Sequence, residues 1–182
     1  TAKMTAKLID GKAVSSSLRG QLREECEKYK KTTGRVPGLA VIRVGEDPAS
    51  QVYVRNKLRA CEEVGFRSEA HILPEIRCYS SRNLWNSRGN RHPKRLHLRK
   101  RSDLACHRIL VQLPIPRNLD EKAAIAAVAD DKDVDAFHKL DAGHLSLGDG
   151  NILPCTPAGI LEMLRYYDIP VSGRECVVVG RS

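Results

Sequence analysis

Residues 37–65 constrain the fold more than any other part of this sequence. PGLAVIRVG (37–45) is an apolar run bounded by Pro and Gly, the pattern of a strand buried on both faces of a parallel sheet. It runs directly into EDPASQVYVRNKLRACEEVGF, which carries the punctuation of a helix. Asp47 suits the N-cap, Pro48 the first helical position and Gly65 the stop. A strand with two buried faces needs helices on both sides, so the rest of the chain has to supply them.

The remaining segments follow the same alternation. KLID (7–10) reads as a short strand, and 12–31 as a helix with Val14, Leu18, Leu22 and Cys26 on one face at i+4 steps. SEAHIL (68–73) reads as a strand, and ILVQLPIP (109–116) as a strand running into a Pro-rich turn. Residues 119–129 read as a helix and DKDVDAF (131–137) as a loop or short strand. A helix is expected from Pro157 to Tyr167 with Ile160, Met163 and Leu164 inward, then a second buried strand at CVVVG (176–180). Strands and helices joined by short connectors predict an α/β fold with a parallel sheet.

The chain has 182 residues, 41% of them apolar. That is enough for one domain, or for one domain and the start of another. No run reaches the length of a membrane helix, and the N-terminus TAKMTAKLIDG has no apolar core of a secretory signal. The six cysteines lack pairing spacing and read as the reduced thiols of a cytosolic-type protein. The net charge of +9 is local. Residues 77–108 hold eight Arg and two Lys against one acid, leaving 21 basic and 21 acidic residues elsewhere. This segment has no sustained period, and Leu84, Trp85, Leu96, Leu98 and Leu104 are too sparse to bury a face. Three readings stand: an Arg-rich arm that binds phosphate backbone, a solvated insertion, or the product of a shifted frame or mis-joined exon.

The candidate chemistry lies elsewhere. Ser50, Tyr53 and Lys57 share a helix face at i, i+3 and i+7. A lysine works as a proton donor or acceptor when burial lowers its pKa, and a tyrosine ring can wall it or stack on a flat heterocycle. The bland alternative is a solvent-facing Tyr/Lys pair. Gln112 stands at the carboxyl end of a strand, where ligands gather in parallel sheets, although a Gln there can also cap loop amides. Asp133 and Asp135 point to one side if their segment is extended, as hydrogen-bond acceptors or as solvated acids. Cys78, His92, His97 and Cys106 lack zinc spacing, and no metal is expected. VVVGRS has the look of a strand entering a phosphate-binding turn.

Taken together, KLIDGKAVSSSLR, PGLAVIRVGEDPASQVYVRNKLRACEEVGF, ILVQLPIP, DKDVDAFH, LPCTPAGILEML and VVVGRS resemble the bifunctional methylenetetrahydrofolate dehydrogenase/methenyltetrahydrofolate cyclohydrolase family. They cover nearly all of 6–75 and 109–182, in the family's order. The resemblance implies a parallel-sheet folate-binding domain over 1–145, with 77–108 as an atypical basic insertion. The truncated start of a Rossmann-type NAD(P)-binding domain follows at 146–182. It implies oxidation of 5,10-methylenetetrahydrofolate with NADP (NAD as the alternative), then hydrolysis to 10-formyltetrahydrofolate. It further implies a cytoplasmic homodimer of one-carbon metabolism and purine biosynthesis.

Carried over by motif, Lys57 is the catalytic acid/base, Tyr53 packs on the folate, Gln112 positions the lysine and substrate, and Asp135 holds the pterin. Ser50, Val111 and Leu113 join them as substrate contacts. Gly180, Arg181 and Ser182 begin the cofactor's phosphate contacts. Met4 is expected as the initiator. Two positions depart from the family pattern: Arg108 in place of a small residue, and Ala136 where Gly is usual. The chain as given is expected to be an impaired dehydrogenase, since the phosphate turn stops at Ser182. The competing function is a basic nucleic-acid-binding module acting through 77–108, whose affinity should fall steeply with salt.

Overall fold

The structure, a computed structural model, describes residues 8–75, 107–150 and 152–180. Three parallel strands form its sheet: β1 (Gly38–Val44), β2 (Arg67–Leu73) and β3 (Arg108–Val111), in the order β2-β1-β3. The central place of β1 follows from its sequence, since only the middle strand needs apolar residues on both faces. Val41 is paired with Ala70 on one side and Leu110 on the other. Ala40, Ile42 and Val44 join Ile109, Val111, Ala124, Ala127 and Val128 in one core, while Val41 packs with Val54 and Leu110 in a second. The sheet therefore lies between α2 (Pro48–Val64) and α3 (Glu121–Ala127). A third helix, α1 (Gly11–Thr33), packs on α2.

The caps of α2 are those its sequence specifies. The Asp47 carboxylate accepts from the Ser50 amide at 2.7 Å, and Gly65 leaves the helix at φ 81°, where a side chain would be strained. In α1, Asp10 accepts from the amides of Lys12 and Ala13. That role displaces the expected strand at 7–10: Leu8 to Asp10 are irregular, and Leu8 is exposed. Of the face expected for α1, Val14 and Cys26 are buried, whereas Leu22 is exposed because α2 covers only part of the helix.

β3 ends at Val111, just before Gln112, and the run then enters the expected Pro-rich turn, where Pro114 and Pro116 have no N–H for a ladder. The Leu113–Pro114 peptide is cis. Residues 130–132 form a 3-10 turn, and Asp133 makes a single parallel bridge to Ile109. Two helices follow, α4 (Lys139–Leu147) and α5 (Cys155–Tyr166). α5 returns to the start of α1, where the Asp10 amide donates to the Tyr167 hydroxyl at 3.0 Å. The expected strand at 176–180 does not form. Val177, Val178 and Val179 are almost fully exposed, and no strand pairs with them among the described residues. A strand exists only through its neighbour's hydrogen bonds, and apolar composition cannot supply one.

Candidate active site

The carboxyl ends of β1 and β3 open onto one place, beside the first turns of α2. Gly45 ends β1 at φ 78°, and a Cβ there would stand 3.2 Å from the Pro116 ring, so glycine lets the two loops close together. Gln112 directly follows β3 and is buried, its amide still bonded to the Ile42 carbonyl at 2.8 Å. Its side chain does two things. Nε2 donates to the Leu113 carbonyl at 2.7 Å, and Oε1 accepts from Lys57 Nζ at 3.0 Å. The first bond fixes the amide's orientation, and the second directs the lysine. Residues 55 positions apart in sequence thus meet at the sheet's carboxyl edge, where an open parallel sheet binds its ligands.

Asp135 completes the group from the loop after α3. Its neighbour Asp133 shapes that loop: one carboxylate oxygen accepts from the Asp135 amide, the other from the amides of Phe137 and His138, all at 2.9 Å. The two acids therefore do not share a side, as an extended segment would require. Asp133 is buried and committed to backbone, whereas Asp135 faces the positive charge of Lys57. Burial raises the Asp135 pKa above the ordinary carboxylate value, against the opposing pull of Lys57. Desolvation of the partly buried carboxylate outweighs that pull. Ala136 sits at φ 55° within this turn, the conformation in which the family's usual glycine costs nothing.

Of the other expected site residues, Ser50 is buried at the start of α2 and Val111 is buried in β3. Leu113 is half-buried and packs against the core on the α3 side. Tyr53 is 60% exposed, so it does not wall the lysine; its ring is open for stacking. Cys155, at the start of α5, was missed. Its thiol bonds the Val134 carbonyl at 3.5 Å, and burial with the Asp135 charge pushes its pKa up. Only its place in LPCTP, the run that opens α5, marked it.

Gly180 lies in open space, with nothing within 4 Å of where a Cβ would stand. Arg181 and Ser182 lie outside the described residues, as does 76–106, and with it most of the basic segment and its Cys78, His92, His97 and Cys106. Arg108 opens β3 and donates to the Asp131 carbonyl, so the departure at this position is accommodated at the surface. Among the described residues no three His, Cys, Asp or Glu side chains gather as metal ligands, and no helix is long and apolar enough to cross a membrane.

The sequence model of the tetrahydrofolate dehydrogenase/cyclohydrolase catalytic domain matches residues 9–84. The bifunctional protein FolD of Streptococcus pneumoniae is 47% identical over 175 residues, covering 96% of this chain and 58% of its own length. That of Streptococcus pyogenes is 45% identical with the same coverage. The chain thus spans somewhat over half the length of these relatives. Among solved structures, the FolD dehydrogenase/cyclohydrolase of Campylobacter jejuni superposes with a TM-score of 0.73 at 35% identity, over 90% of this chain and 54% of that one. The Trypanosoma brucei enzyme, solved with NADP cofactor and inhibitor, gives 0.78 at 33%, over 92% and 54%. The match runs through both blocks that meet in the Lys57–Gln112 contact, and on sequence and fold together the chain belongs to the tetrahydrofolate dehydrogenase/cyclohydrolase family.

Proposed function

We propose that this chain acts in one-carbon metabolism as the folate-binding part of a methylenetetrahydrofolate dehydrogenase and methenyltetrahydrofolate cyclohydrolase. The observation that carries the reading is the bond from Lys57 Nζ to Gln112 Oε1, beside an Asp135 whose pKa burial raises. In this reading Lys57 gives and takes the proton at Nζ during attack of water on the methenyl carbon. Gln112 has no titrating group and fixes the direction of that nitrogen. Asp135 accepts hydrogen bonds from the amino-pyrimidine of the pterin, and the exposed Tyr53 ring stacks on the folate. Ser50, Val111 and Leu113 shape the walls.

NADP would supply a hydride acceptor. The described residues hold no cradle for its pyrophosphate, since Gly180 packs on nothing, and we assign it no step. Cytoplasmic location, a homodimer and a link to purine synthesis remain part of the proposal on the family's account. So do the two units, 1–145 and 146–182.

Lys57→Met should remove hydrolysis of methenyltetrahydrofolate and leave folate affinity mostly intact. Gln112→Ala should lower the rate less and displace the pH profile. Near-normal turnover by the Lys57 variant would sink the assignment.

A further inference from the structure

A groove of about 1100 Å³ runs between α2 and β2, on the other side of α2 from Gln112, and Lys57 does not line it. Arg43, Arg55, Arg59 and Arg67 line it together with one acid, Glu62. Two of these arginines have carboxylate partners: Arg59 Nε meets Glu63 at 3.3 Å and Arg67 meets Glu69 at 2.6 Å. Arg43 does not. It projects from the central strand, is 8% exposed, and its Nε is buried without a hydrogen-bond partner. Asp47 feels its charge, yet the Asp47 carboxylate bonds the Ser50 amide. A guanidinium cannot shed its proton, so burial cannot neutralise it as it would a lysine. A buried charge without a paired partner is unfavourable, and a counter-anion relieves it. The groove is larger than an inorganic ion, and Val54 and Leu58 give it an apolar wall.

We propose that the α2–β2 groove is a binding site for a small organic anion, a carboxylate or phosphate ester with an apolar body, its charged end seated on Arg43. The site is separate from the folate reading and does not depend on it. Phenyl phosphate and benzoate, titrated into the full chain by calorimetry at matched ionic strength, separate the two anion sources. One of them should bind saturably and more tightly than inorganic phosphate. Arg43→Gln should weaken that binding at least tenfold, and the rim reversal Arg55→Glu several-fold. If Arg43→Gln fails to fold, Arg55→Glu alone decides. Absence of saturable binding by either probe would overturn the proposal, as would unchanged affinity in the variants.

Discussion

Single residues carry most of the chemistry here, and Asp135 is the one whose environment contradicts its charge. Its raised pKa means that folding favours the protonated acid. The stability it contributes is complete below its unfolded pKa and is lost as pH rises through the folded value. Asp135→Asn keeps the shape and removes the charge, so its melting temperature should exceed that of the parent at pH 7 and match it near pH 3. The same variant should bind folate more weakly. Equal melting temperatures at pH 7 would show that Lys57 already compensates the carboxylate. At the next position, Ala136 holds φ 55° while buried. An αL alanine costs about 1–2 kcal/mol, more than the roughly 0.8 kcal/mol of a lost methyl contact. Ala136→Gly should therefore stabilise by up to about 1 kcal/mol, and Ala136→Val should destabilise clearly, by chemical denaturation.

Among the elements, α2 does two jobs, covering one face of the sheet and presenting Lys57 at the sheet's carboxyl end. Its start depends on Asp47, whose pKa is lowered by the Ser50 hydrogen bonds and by the charge of Arg43. The lowered value gives stability above the unfolded pKa that disappears as pH falls through the folded one. Asp47→Ala should lower the melting temperature at pH 7 and flatten its fall in acid. An acid transition unchanged in midpoint would remove this role. Elements differ in how far their sequence announced them. α2 and β1 were legible to within a residue or two because cap, proline, glycine and apolar run agree. α4 was not read at all: none of its residues is buried, so no apolar period marks it, and Leu140, Leu145 and Leu147 are exposed. The run 176–180 misled in the opposite sense, since valines alone satisfy a strand pattern and pairing needs a neighbour.

For the whole molecule, the consequence of that run is an apolar surface. Val177, Val178 and Val179 are 86%, 89% and 94% exposed. β2, at the sheet edge, also offers unpaired backbone groups among the described residues. Exposed β-branched runs and open edges pair with other copies. Val178→Lys should reduce self-association of the purified chain in light scattering and leave its melting temperature unchanged, because Val178 touches no core. Undiminished scattering would point to the β2 edge instead.

The sequence by itself determined the class of fold, the position of β1 and α2 and the family, because these rest on local signals: period, caps and long specific motifs. It also named Lys57, Gln112 and Asp135 as candidates by motif. Only the tertiary structure decided which of them meet. Spacing left Tyr53 and Lys57 as equals on one face, and packing exposed the first while Gln112 captured the second. Spacing left Asp133 and Asp135 as a pair, and the loop's need for hydrogen bonds turned Asp133 to the backbone and left Asp135 to the site. Cys155 and Arg43 became visible only there. A thiol's neighbours and a buried charge's missing partner are properties of three-dimensional contact, and no period along the chain encodes them.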